Sequence, residues 1–275
     1  MKFRGRLLAG AWTALMMCAA CGGDGGVERG QPVMTVTESG TSTAPPAREV
    51  EARGNALVRF VHAAPGVAAT DVFAQDTKLF TNIAYKSVTP YHEVAGGKIP
   101  FRLRLAGQDS AQPVAEDSES LTDGAHYTLI VVPTGATAIF SQDGGQNAEF
   151  RFVNDELAAP TAGKAKLRVI NTSPDLSAVD VYAAGRADAL LKDVQSVGKT
   201  TYAEMEPLQG ALEVRRAGEN INTLNLPDVR IEAGKIYTVI VAGRVKGTSK
   251  LESILIEDRI GSAAATGTAS PSVSP

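Results

Sequence analysis

Apolar and polar side chains alternate with a period of two through much of the chain beyond its first twenty residues. Ile99 to Leu105 sets Phe101, Leu103 and Leu105 against Arg102 and Arg104, and Leu212 and Val214 alternate with Glu213 and Arg215 in the same way. That spacing gives strands with one buried and one wet face, so Arg102, Arg104, Arg215 and Arg216 are expected on solvated faces. Tyr127 to Val132 and Tyr237 to Val241 are short β-branched runs that predict central strands. Turn signals such as Ala95-Gly96-Gly97-Lys98, Asp123-Gly124 and Glu232-Ala233-Gly234 fall between them. No later segment has a helical period of useful length. Many short strands with regular turns predict an all-β fold built as an antiparallel sandwich.

The pattern also repeats. Arg59-Phe60-Val61-His62-Ala63-Ala64-Pro65 matches Arg168-Val169-Ile170-Asn171-Thr172-Ser173-Pro174 at an offset of 109, which also aligns Asp71-Val72-Phe73 with Asp180-Val181-Tyr182. Gly124 to Val131 then matches Gly234 to Val241. Such a period is too long for a solenoid and indicates a duplicated domain. The expected organisation is a first sandwich over 55–158 and a second over 159–261, joined at Ala158-Ala159-Pro160-Thr161-Ala162-Gly163.

Val61-His62-Ala63-Ala64-Pro65 with Asp71-Val72-Phe73 and Asn82-Ile83-Ala84-Tyr85 resembles the opening of the family catalogued as domain of unknown function 4397. Val169-Ile170-Asn171-Thr172-Ser173-Pro174-Asp175 with Ala178-Val179-Asp180-Val181-Tyr182 is similar to it again. The resemblance runs over roughly residues 56 to 261 in two copies. It implies tandem immunoglobulin-like or transthyretin-like sandwiches on a secreted or surface-attached bacterial protein, and no activity. Two departures stand out: Gly66 replaces the acid found at Asp175, and the second unit has Asp193-Val194-Gln195-Ser196 in place of Asn-Ile-Ala-Tyr.

The N-terminus adds an address. Lys2, Arg4 and Arg6 precede an apolar run from Leu7 to Ala20, too short to span a bilayer comfortably but suited to a signal peptide. It ends in Cys18-Ala19-Ala20-Cys21-Gly22, which resembles a bacterial lipobox with Cys18 where Leu is usual. The expectation is a lipoprotein signal over 1–20, removed to leave an acylated Cys21 that anchors the chain in a membrane. Gly22, rather than Asp, favours the outer membrane. Residues 21–54 are rich in Gly, Thr, Ser, Pro and Glu and are expected to form a flexible tether; 262–275 are expected to be a disordered tail.

Composition then removes several functions. The net charge is −3, and about −6 without Lys2, Arg4 and Arg6, so nothing draws the mature part toward nucleic acid. Both cysteines lie in the targeting segment, which leaves no disulfide, thiolate nucleophile or cysteine-based zinc site beyond it. His62, His92 and His126 all fall in the first unit, opposite Asn171, roughly Thr201, and Ile236. No two of them stand at a metal-ligand spacing, and no Gly-x-Ser-x-Gly is present.

The residues left with candidate roles are few. Asp71 and Asp180, with Asp175, are either cation contacts or acids capping turn amides, and the second reading is favoured. Ser141 to Asn147 carries a single acid and is expected to be a hairpin turn. Tyr85, Tyr91, Tyr182 and Tyr202 are weighed between packing and ligand contact, with His62 beside Tyr85 and Tyr91 as a ligand candidate. Tyr127 and Tyr237 are expected in the core or at corners. No metal or cofactor is implied. Three functions follow in order: a non-catalytic surface binding or adhesion module for an envelope glycan or a protein partner, a structural spacer, and a hydrolase.

Overall fold

The computed structural model describes residues 54–134, 148–196, 200–246 and 249–258. Cys21 and its signal, the tether up to Arg53, the 262–275 tail and the Ser141–Asn147 turn lie outside the described residues. Every regular element among the described residues is a strand, and no helix there is long and apolar enough to cross a membrane.

The first repeat has eight strands: β1 (Asn55–His62), β2 (Thr70–Ala74), β3 (Thr77–Ile83), β4 (His92–Ala95), β5 (Gly97–Leu105), β6 (Ala115–Leu121), β7 (His126–Pro133) and β8 (Ala148–Asn154). The second reproduces them as β9 (Ala165–Asn171), β10 (Ala178–Ala183), β11 (Ala189–Gln195), β12 (Ala203–Met205), β13 (Leu208–Arg216), β14 (Asn222–Ile231), β15 (Ile236–Ala242) and β16 (Glu252–Asp258). Each repeat is a sandwich of two four-stranded sheets. The orders β4-β1-β7-β8 and β3-β2-β5-β6 in the first become β12-β9-β15-β16 and β11-β10-β13-β14 in the second. The sheets are antiparallel apart from one parallel pair in each repeat, β1 with β7 and β9 with β15.

Each sandwich has its own core, with Phe60, Phe101, Leu103 and Leu129 at the centre of the first and Leu167, Leu176, Leu212 and Ile231 at that of the second. A third apolar cluster belongs to both repeats. Val61, Ala63, Ile130 and Val132 meet Ile170, Ile240, Ala242, Ile254 and Ile256 across the outward faces of the sheets that contain β1 and β9. Those two sheets are therefore covered on both sides. Doubly covered strands bury successive residues on opposite faces, which is why β7 and β15 read as continuous apolar runs while β5 and β13 alternate.

Tyr127 and Tyr237 serve as corners. Each hydroxyl oxygen accepts the amide proton of the residue five positions earlier, from Thr122 at 3.1 Å and from Glu232 at 3.2 Å. The arginines of the outer sheets are less solvated than the alternation suggests. Arg102 reaches the Gln75 carbonyl and Asp76, Arg104 lies over the Phe73 ring, and Arg215 stacks on Tyr182 at 4.1 Å. Aromatic partners on the same sheet draw the guanidinium planes down while their charges stay near water.

Candidate functional site at the seam between the repeats

Beside the apolar seam lies a buried polar cluster in which each member has a counterpart in the other repeat. Thr128 and Tyr91 donate to Asp155 Oδ2 at 2.6 and 2.7 Å, and Thr238 and Tyr202 donate to Asp258 Oδ2 at 2.6 and 3.0 Å. Arg59 Nε donates to Thr128 at 2.7 Å, and Arg168 Nη2 donates to Thr238 at 3.0 Å. The ion pairs then cross over: Arg168 lies 2.5 Å from Asp155 Oδ1 and Arg59 2.6 Å from Asp258 Oδ1. Each carboxylate thus takes two hydroxyl protons from its own repeat and a guanidinium from the other. The guanidinium groups also lie over aromatic rings, Arg59 on Tyr91 at 4.9 Å and Arg168 on Tyr202 at 4.2 Å.

The electrostatics agree with this geometry. Burial alone would lower the Arg59 pKa, but Asp155 and Asp258 more than reverse that and raise it. Burial raises the Tyr91 and Tyr202 hydroxyls, so both stay protonated and act as donors. At the margin of the seam Lys86 pairs with Glu252 at 3.3 Å, and Arg151 donates to the Ser196 carbonyl.

The residues weighed between ligand or cation contact and a structural role lie apart from this cluster, except Tyr91 and Tyr202, which belong to it. Asp71 Oδ1 accepts the Asn82 amide at 2.7 Å, and its Oδ2 accepts the Gly107 amide at 3.1 Å and the Lys78 ammonium at 2.9 Å. Asp180 accepts the Asp193 and Gly218 amides at 2.8 and 3.1 Å. Asp175 accepts from the Val245 and Lys246 amides and from Ser173. These acids cap backbone, and among the described residues no three His, Cys, Asp or Glu side chains stand where they could hold a metal. Asn82 and Asp193 both have φ of 53° at bulges, so Asp193 takes the place of Asn82 where the second unit departs from Asn-Ile-Ala-Tyr.

Tyr85 and Tyr91 are not open ligand contacts. Both are half-buried; burial and then Glu252 raise the Tyr85 hydroxyl, while Tyr91 is committed to Asp155. His92 matches Ala203 rather than Thr201, because β4 meets Val58 at His92 as β12 meets Leu167 at Ala203. Asp155 and Asp258, which complete the cluster, carry no motif in the sequence; Thr128 and Thr238 were visible there as matched positions, but not as partners.

His62 is fully buried, with Nε2 3.2 Å from the Ala68 carbonyl, so it reaches no ligand. Asn171 does the same work in the second repeat, donating to the Leu176 carbonyl at 2.9 Å. Burial lowers the imidazole pKa, only partly offset by the Ala68 bond. A group whose folded pKa is depressed leaves stability intact above its unfolded value and drains it as pH falls toward the folded one. The protein should therefore lose stability as pH drops below about 6.5, and His62→Asn should flatten that part of the curve. Urea midpoints between pH 7.5 and 5 check this; equal slopes for the two proteins would refute it.

One cavity opens at the seam, with a volume of about 610 Å³. The first repeat contributes Glu119 from β6, Tyr127 from β7, Phe152 from β8 and Glu156 just beyond it; the second contributes Thr200 and Tyr202 before β12. The Thr200 hydroxyl oxygen is buried and has no hydrogen-bond partner among the described residues. Tyr202 joins the cavity to the ion-pair cluster, since its hydroxyl holds Asp258.

The family model described as "Domain of unknown function (DUF4397)" matches residues 56–182 and again 169–270. No curated protein matches the chain. Among solved structures, the C-terminal domain of AlgF from P. aeruginosa is 22% identical, with 35% of this chain and 99% of that one covered and a TM-score of 0.28. A candidate cell adhesion protein from Bacteroides ovatus ATCC 8483 is 14% identical, with 77% and 100% covered and a TM-score of 0.22. A second such protein, from Bacteroides eggerthii DSM 20697, is 13% identical, with 74% and 96% covered and a TM-score of 0.22. At these scores the architecture rests on the strands and sheets described above.

Proposed function

The chain belongs to the family described as domain of unknown function, DUF4397, which it carries twice, and from that premise we propose that it is a non-catalytic binding module of the cell envelope. The supporting observation is the seam. Reciprocal buried ion pairs and a shared apolar cluster make the repeats one body, with a cavity of ligand size where they meet. Acylation of Cys21 would hold this body at a membrane, in the outer membrane by the reading of Gly22, with residues 21–54 as tether. The partner is an envelope glycan or a surface protein. Among the described residues the seam arginines pair with Asp155 and Asp258, and Asp71, Asp175 and Asp180 cap backbone amides, an arrangement suited to holding shape.

The same rigidity suits a second reading, a spacer that holds a partner at a fixed distance. A thermal-shift panel on the full-length protein separates the two, using peptidoglycan fragments, neutral and charged polysaccharides, calcium and EDTA. A ligand at a hundredfold its Kd adds about 2.7 kcal/mol, which for a body of this size raises the midpoint by roughly 5–10 °C. Saturable stabilisation by one polymer class is the expected result. A flat panel together with a discrete protein crosslink would overturn it in favour of the spacer.

A further inference from the structure

We propose that residues 84–89 form an acid-released strap, latched to β1 by His62 and reaching across the seam to the second repeat.

The strap follows β3 and runs along the edge of β1 before β4 begins, with Val88 bridged to Val61. Phe60 and His62 hold it. The His62 carbonyl accepts the Lys86 amide at 2.8 Å, and the His62 amide donates to the Ser87 carbonyl at 3.1 Å. The Phe60 carbonyl accepts the Thr89 amide at 3.0 Å, and the Phe60 amide donates to Thr89 Oγ1 at 2.8 Å. Lys86 takes a φ of 69°, a left-handed conformation that a lysine adopts only at a cost. The outer side of the strap belongs to the seam, where Lys86 pairs with Glu252 of the second repeat at 3.3 Å.

Beneath the strap the imidazole is only half satisfied. A carbonyl can only accept, so the bond to Ala68 places a proton on Nε2 and leaves Nδ1 as the atom that titrates. Nδ1 is buried and has no hydrogen-bond partner among the described residues. Asn171, its counterpart, uses both ends of its amide: it donates to the Leu176 carbonyl and accepts the Ser173 amide at 3.1 Å. Asparagine therefore suffices to brace this corner, and what histidine adds is a charge that can be switched.

The surroundings oppose that charge. Phe60 and Tyr85 meet the imidazole at centroid distances of 6.4 and 6.2 Å, and β7 sets Val131 opposite it. Burial keeps the Tyr85 hydroxyl protonated and neutral. Asp71 on β2 is spent on Asn82, Gly107 and Lys78, and no charge among the described residues acts on the ring. What acts on it is burial, the Ala68 carbonyl and the carbonyl of His62 itself. That last carbonyl is the one the Lys86 amide occupies. A second proton, on Nδ1, thus competes with Lys86 for its acceptor or draws in water. Phe60 is fully buried and Tyr85 half-buried, so water comes in past Tyr85. Either route lifts the strap, draws Lys86 from its place against Glu252 and bares the edge of β1 beyond β4.

Amide hydrogen exchange on the full-length protein, read residue by residue by NMR, tests this. Protection compares each rate with that of an unstructured chain at the same pH, so the pH dependence of exchange chemistry drops out. An opened strap gives His62 its ordinary pKa of about 6.5, so one unit below that value opening is favoured about tenfold relative to pH 7.5. The Lys86 and Thr89 amides should therefore be about tenfold less protected at pH 5.5 than at pH 7.5. Their exchange should also ignore low urea, as a local opening does, whereas exchange in β7 should accelerate with it. In His62→Asn the acid response at both positions should vanish. Protection that stays level with pH, exchange at Lys86 and Thr89 that follows urea in step with β7, or an acid response that survives the substitution would each overturn the proposal. The pH and urea comparisons use only the unmodified protein, so the result does not depend on the variant folding.

Discussion

Replacing Arg168 with alanine should destabilise the protein by about 3–5 kcal/mol and split its unfolding into two transitions. Removing one partner of a buried ion pair leaves the other as an uncompensated charge in a dry site, at that order of cost. Arg168 is fully buried and holds Asp155 at 2.5 Å, the Asn154 carbonyl at 3.0 Å and Thr238 at 3.0 Å. Without it, Asp155 keeps two hydroxyl donors but has only Arg59, 3.7 Å away, to balance its charge. For a body of this size each kcal/mol moves the midpoint by about 2–4 °C, so a fall of roughly 10 °C is expected. In the unaltered protein the seam couples both cores, and calorimetric and van't Hoff enthalpies should agree. In the variant the second repeat, which loses a seam contact but keeps its own core, should melt apart from the first. A loss below about 1 kcal/mol with one transition retained would show that the cluster does not couple the repeats.

The second large effect is expected at Asp71, where alanine should cost about 3 kcal/mol. The substitution removes the buried carboxylate that accepts the Asn82 and Gly107 amides, and hydrogen bonds to a charged group contribute about 1.5–3 kcal/mol each. It also removes the partner that Lys78 holds at 2.9 Å. Asp180→Ala removes the acceptor of two equivalent amides but of no lysine, so its cost should be smaller. Burial pushes the Asp71 carboxyl up, but its hydrogen bonds from Asn82, Lys78 and Gly107 outweigh that and hold it below the usual range. Its contribution is then complete above the unfolded carboxylate pKa of about 3.9 and drains away only as pH falls through the lower folded value. Guanidinium midpoints at pH 7 for the two alanine variants give the comparison. Equal losses would remove the role assigned to Lys78.

Much of this fold could be read from the chain, and particular residues show why the rest could not. Strand alternation is local, so β5 and β13 were legible from Phe101-Arg102-Leu103 and from Leu212-Glu213-Val214. The duplication was legible because Arg59 and Arg168, or Asp71 and Asp180, keep one offset. The seam was hidden because its members do not. Arg59 and Arg168 are 109 apart and Thr128 and Thr238 110 apart, but Tyr91 and Tyr202 are 111 apart and Asp155 and Asp258 only 103. The stretch from Thr128 to Asp155 is seven residues longer than that from Thr238 to Asp258, which shifts the last pair out of register. Ile130 and Ile240 hold matched positions, but an apolar side chain carries no mark of whether it faces its own core or a neighbour's. His62 drew notice because histidine is chemically versatile, yet the fold uses it as a strut that asparagine replaces at position 171.

The crossed pairing of Arg59 with Asp258 and Arg168 with Asp155 gives the contact the character of an isologous one, in which the same patch on each half meets its own equivalent. Such contacts close. The patch of each inner sheet is spent on the other, and a third copy of the domain added in tandem would find neither patch vacant. A head-to-tail array can grow by one unit at a time; this one can grow only by pairs.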